Sequence, residues 1–141
     1  MKGTLSESFL DGHNDTAFST DWRNLTDDER KIIADFIVEI RDNEYVDGKN
    51  KQSWLSDSGK TMPYSTGYQR ENYWHYHSGP SWDNRGAYDF TKCMYANVKG
   101  RGSKECIHYY PVSNSEIIIV GFSRDHIPFI PSDDPSNPFF Y

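Results

Sequence analysis

Ile33, Phe36, Ile37 and Ile40 recur at i, i+3, i+4 and i+7, while Asp35, Glu39 and Arg41 fall off that stripe. This is the period of an amphipathic helix. Thr26-Asp27-Asp28-Glu29 in front of it reads as a capping box, with acids at the positive end of the helix dipole. The spacing predicts a helix over 26–42, with its exit near Gly48 and Asn50. Residues 1–24 are polar and without a period, which predicts an arm or irregular cap. Residues 48–70, rich in Gly, Ser and Lys, read as a long connection with one short element around Trp54-Leu55. The pattern then turns to strands. Tyr73-Trp74-His75-Tyr76-His77 is one, ended by Ser78-Gly79-Pro80. Cys106–Tyr110 and Glu116–Phe122 flank a turn at 111–114 and predict an antiparallel hairpin. A short strand or helical turn is expected near 89–96. Pro128, Pro131, Pro135 and Pro138 keep the tail 125–141 out of any central strand. An extended cap packed through Phe129, Phe139 and Phe140 is expected there.

These elements add up to an α+β domain, an N-terminal helix packed on a small twisted antiparallel sheet. A chain of 141 residues suits one domain: an arm at 1–24, a core at 25–124 and a cap at 125–141. Leu, Ile, Val and Phe are scarce enough for disorder, but 4 Trp, 10 Tyr and 8 Phe can each bury a large area. The core is therefore expected to be aromatic. No apolar run approaches the ~20 residues of a membrane span, and the first residues lack the core of a secretion signal. Two cysteines, Cys93 and Cys106, fit a reducing compartment. A cytoplasmic protein with no membrane partner is expected.

The net charge of −6 has the wrong sign for a simple nucleic-acid coat. The charge is unevenly spread, however. Residues 1–60 carry 13 acids against 8 bases, and residues 61–132 carry 6 against 7 with four of the five His. Within 85–108, Arg85, Lys92, Lys99, Arg101 and Lys104 oppose only Asp89 and Glu105. Ordinary surface scatter explains such a count equally well.

His75-x-His77 is the first candidate for chemistry. On a strand the two side chains share one face about 7 Å apart, and Trp74 and Tyr76 point to the other, toward the core. Two such histidines suit a metal pair, an acid–base pair, or simply a polar sheet face. His108, in the second strand, or His126, after the third, could complete either site; the sequence leaves open which one approaches His77. Lys99-Gly100-Arg101-Gly102-Ser103-Lys104 is the second candidate, a loop whose backbone amides and cations suit an anion. It is no P-loop, since GxxxxGK[ST] is absent. CxxC, HExxH, GxGxxG and GxSxG are absent too, so no cofactor is indicated.

The order of a capped helix, a linker, the strand with HYHSGP, a Gly/Arg/Lys loop, IHYYPV and EIIIVGFSRDHIPF resembles the RelE/ParE-like toxins of toxin–antitoxin pairs. The YafO-like group is the nearest, and the resemblance covers roughly residues 70–130 with the helix at 26–42. It implies a RelE-like fold and a metal-independent endoribonuclease acting on mRNA, in some cases on the ribosome, and silenced by an antitoxin protein. In that chemistry the RNA 2′-OH attacks its own phosphate, a base takes its proton, an acid protonates the leaving oxygen, and cations stabilise the intermediate. The residues expected to catalyse are His77, His75, Arg101, Arg124 and His126. Arg85, Lys92, Lys99, Lys104 and His108 are expected to hold RNA, and no metal or cofactor is expected. The net acidity, the acidic front and the Pro-rich tail depart from the minimal toxin pattern. The rival expectations are a non-catalytic inhibitor or immunity protein and a His-based metal enzyme.

Overall fold

Thr26 and Glu29 close the predicted capping box. The Thr26 hydroxyl accepts from the Glu29 amide at 3.2 Å, and the Glu29 carboxylate accepts from the Thr26 amide at 2.9 Å. The helix that follows, Asp27–Asp42, buries Ile33, Phe36 and Ile40. The computed structural model describes every residue except 44, 84–90 and 93–95, with the backbone alone at 45, 91 and 92. In chain order the elements are β1 (Lys2–Leu5), α1 (Glu7–Asp11), α2 (Asp27–Asp42), β2 (Tyr45–Val46), β3 (Asn50–Gln52), α3 (Thr66–Glu71), β4 (Trp74–His77), β5 (Thr91–Lys92), β6 (Cys106–Ser113) and β7 (Glu116–Ser123). A 3₁₀ turn at Trp22–Asn24 precedes α2.

The class is α+β, with a five-stranded sheet in the order β1-β7-β6-β4-β3 and a small β2-β5 ribbon. Several expectations need correction. The sheet is mixed rather than antiparallel, because β1 runs parallel to β7, pairing Lys2 with Glu116 through Leu5 with Ile119. The long helix is not the first element, and residues 1–24 are more than an arm. Ser6 caps α1, accepting from the Phe9 amide, and Phe9 is fully buried against Trp22. The connection 48–70 likewise contains β3 and α3. The short element expected near 89–96 is described only at β5; the rest lies outside the described residues.

Strand alternation builds two different faces. Trp74 and Tyr76 of β4 and Ile107 and Tyr109 of β6 face α2, where Phe36 stacks on Tyr76 with centroids 4.9 Å apart. His75, His77, Cys106 and His108 therefore face the other way. Between His108 and Tyr109 the register to β7 jumps from Gly121 to Ile119, leaving Val120 as the extra residue. That bulge exchanges the faces of β7. Ile117 and Ile119 lie in the core before it, as does Phe122 after it, so Gly121 and Ser123 join the histidine side.

The tail covers that second face, as expected of a cap. Asn137, fully buried, donates to the Tyr68 hydroxyl (2.8 Å) and to the carbonyls of Ile130 and Pro131, pinning the tail to α3. Phe129 and Phe139 then meet Phe18 at 5.4 and 5.7 Å over the histidines. The tail packs tightly on Gly121, where a Cβ would stand 2.5 Å from the Phe139 ring. Among the described residues no helix is long and apolar enough to cross a membrane.

Candidate functional site

Four imidazoles gather on the covered face. His75 and His77 come from β4, His108 lies opposite His75 on β6, and His126 arrives on the chain leaving β7. His126 is the one that approaches His77. Their rings are 4.7 Å apart, and His75 lies 5.5 Å from His77, 5.9 Å from His126 and 6.1 Å from His108. All four are buried, His126 the least so at 8% exposed.

Hydrogen bonds fix two of the tautomers. Ser123 gives its single hydroxyl proton to the Phe18 carbonyl, so it must accept from His108 Nε2–H at 2.7 Å. A carbonyl only accepts, so the 2.7 Å contact of His126 Nδ1 with the Lys104 carbonyl is an N–H donation, leaving Nε2 its lone pair. His75 Nδ1 pairs with the Ser53 hydroxyl at 2.9 Å. His77 Nδ1 lies 3.0 Å from the Ser103 amide and 2.9 Å from the Ser103 carbonyl, so either tautomer finds a partner there. His77 Nε2 is buried and has no hydrogen-bond partner in either case.

Burial governs the protonation. It holds His75 well below the ordinary imidazole range and pulls His77 and His108 down to about 3, with the neighbouring imidazoles adding to the effect. Burial also lowers His126, although its bond to the Lys104 carbonyl works the other way. The four rings are therefore neutral at pH 7.

Cys106 enters the site through the strand register, as the residue directly opposite His77. It is a fully buried free thiol, pushed up by that burial. One nitrogen each of His77 and His126 and the Cys106 sulfur all lie within 4.8 Å of one another. The sequence reading passed over Cys106 because a lone cysteine carries no motif. Only the pairing of 74–77 with 106–109 places it across from His77.

The cations divide. The loop 99–104 packs on the histidines through its backbone, with Ser103 on His77 and the Lys104 carbonyl on His126. Arg101 points elsewhere, binding Asp47 at 2.7 Å and stacking on Trp82 at 4.1 Å. Arg124 is turned to the start of α2, gripping Glu29 with Nε and Nη2 at 2.7 and 2.9 Å. The structure does not bring either guanidinium to the imidazoles. Lys99 and Lys104 are exposed. Arg85 lies outside the described residues, as does the side chain of Lys92. Two lysines that the sequence reading did not single out do line the face. Lys51 sits opposite His75 in the β3–β4 register, and the Lys49 carbonyl accepts from the His77 amide. Asp57 bridges both ammonium groups at 3.0 and 2.7 Å.

The site is thus a covered cluster of neutral imidazoles and one thiol on an α+β sheet, flanked by lysines. No protein-family model matches the chain, and neither a curated protein nor a solved structure matches it.

Proposed function

We propose that the histidine face is the reacting centre of an endoribonuclease of the toxin kind, with mRNA as substrate and an antitoxin protein as the silencing partner. The observation that carries the reading is the seating of neutral His77 and His126, ring against ring, on the backbone of the basic loop 99–104. Neutral imidazoles with depressed proton affinity can take a proton from a 2′-OH but cannot arrive at pH 7 already carrying one. The acid and the charge stabilisation therefore fall to cations, and Lys49 and Lys51 are the lysines whose charge reaches the face. Arg101 and Arg124, committed to Asp47 and Glu29, are assigned to holding the fold. A phosphate would approach at His126, the most exposed ring of the four.

The test is cleavage of a defined RNA by the purified protein, with and without ribosomes, beside the same strand carrying 2′-deoxy sugars. The expected products end in a 2′,3′-cyclic phosphate, and the deoxy strand stays intact. His77→Ala should slow cleavage by about 100-fold or more while leaving the protein folded. A folded protein that leaves every RNA whole, and whose expression does not arrest growth, overturns the reading.

A further inference from the structure

We propose that His77, Cys106 and His126 are the ligands of a zinc-class divalent cation. The inference goes beyond the nuclease reading and is argued from the ligand set alone. No third ligand stands beside His75-x-His77 in the sequence. Folding supplies two, by laying β6 beside β4 and returning the chain after β7 over His77.

Three observations converge on the same point. The ligand atoms already lie within 4.8 Å of one another. In a tetrahedral zinc site, bonds of about 2.0–2.3 Å set neighbouring ligand atoms at about 3.3–3.8 Å. A contraction of about 1 Å thus closes the set. Second, His77 Nε2 is a buried nitrogen with no hydrogen-bond partner, a condition that folded proteins ordinarily avoid. A cation in this triangle would give it one. Third, each histidine has the outer support that metal-bound imidazoles use. His126 Nδ1–H donates to the Lys104 carbonyl, and His77 Nδ1 has the Ser103 carbonyl at 2.9 Å. Both bonds come from the loop 99–104, which thereby orients two ligands at once.

One thiolate and two imidazoles suit zinc better than the oxygen-seeking magnesium or calcium. Binding releases the Cys106 proton to solvent and places the His77 proton on Nδ1, so the bound group is a thiolate with two neutral imidazoles and net charge +1. Three protein ligands leave a fourth position for water or substrate, the arrangement of working rather than purely structural zinc. His75 and His108, which are not ligands, are then the imidazoles left to move a proton.

The experiment is a titration of chelator-treated protein with cobalt(II), a spectroscopic stand-in for zinc, in a Cys93→Ser background so that Cys106 is the sole thiol. One equivalent should produce the intense visible bands of tetrahedral cobalt and a near-ultraviolet thiolate-to-cobalt band, both displaced by zinc. Cys106→Ser should abolish the thiolate band. His126→Asn, at the least buried of the four rings, should weaken zinc binding by more than the roughly 10–100-fold that loss of a supporting bond costs. No binding at one equivalent, or visible cobalt bands with no near-ultraviolet thiolate band beside them, overturns the proposal. Cleavage of RNA by a protein that binds no ion would remove the metal and leave the nuclease; binding without cleavage would do the reverse.

Discussion

Replacing Phe129 with alanine should uncover the histidine face without loosening the side of the sheet that packs on α2. The Phe129 ring lies 5.1 Å from His75, 5.2 Å from Tyr68 and 5.4 Å from Phe18, so it joins the tail to both the site and α3. A fully buried Phe→Ala costs about 3–5 kcal/mol. Phe129 is half-buried, so about 2 kcal/mol is expected. Because that loss falls on the cover, it should appear as local opening, raising the open fraction about 30-fold. Cys106 reports it, being fully buried beneath the cover. In a Cys93→Ser background, a thiol reagent should label Cys106 about 30-fold faster in Phe129→Ala, with little dependence on low urea. Phe36→Ala, on the opposite face, should speed labelling only through global unfolding and so with a steep urea dependence. If both variants show the same steep dependence, the tail is no separate cover, and the two-faced description of the sheet is wrong.

Trp74→Ala, on the α2 face beside the histidine strand, should cost about 3–5 kcal/mol in urea unfolding. A loss under 1 kcal/mol would mean that the β4 register is slipped by one residue. Thr26→Ala should remove about 1 kcal/mol with no effect on cobalt binding, since it breaks only the cap of α2. Burial alone would raise Asp57, but hydrogen bonds from Lys51 and Lys49 and their charges bring it down to about 2. A carboxyl depressed from 3.8 stabilises the fold above that pH and ceases to do so as pH falls through about 2. Asp57 is mostly exposed, so solvent screening holds the effect to about 1 kcal/mol or less. The urea midpoint of Asp57→Asn should therefore trail the parent above pH 4 and converge with it toward pH 2; a gap independent of pH would mean that the lysine bridges do not form in solution.

The elements that sequence alone disclosed are those whose signal is local. The helix 26–42 carries its own cap and stripe, and Trp74, Tyr76 and the 106–123 hairpin announce themselves by alternation. The aromatic tail was legible as a cap because its prolines exclude it from a sheet. Lys2–Leu5 gave no such signal, because a four-residue edge strand has too few positions to show a period. Its partner is more than a hundred residues away, and β3 and α3 were hidden for the same reason of length. The site divides along the same line. His75 and His77 share a face by the period of a strand, which any reader can count. That His126 rather than His108 meets His77, and that Cys106 faces it, are facts of register. Arg101 and Arg124 were over-read, since their nearness in sequence concealed that Asp47 and Glu29 claim them.

The parallel pairing of β1 with β7 sets an order of assembly. Strand β1 binds a strand that lies more than a hundred residues further along the chain, Lys2 against Glu116 and Leu5 against Ile119. Until that late hairpin exists, β1 has no partner, and the chain between must be brought round as one long loop before any of its contacts form. Completion of the sheet therefore waits on β7. The histidine cover, built from the residues after β7, is laid down later still. His75, His77, Cys106 and His108 all precede, along the chain, the phenylalanines that cover them, so the face is made before its cover.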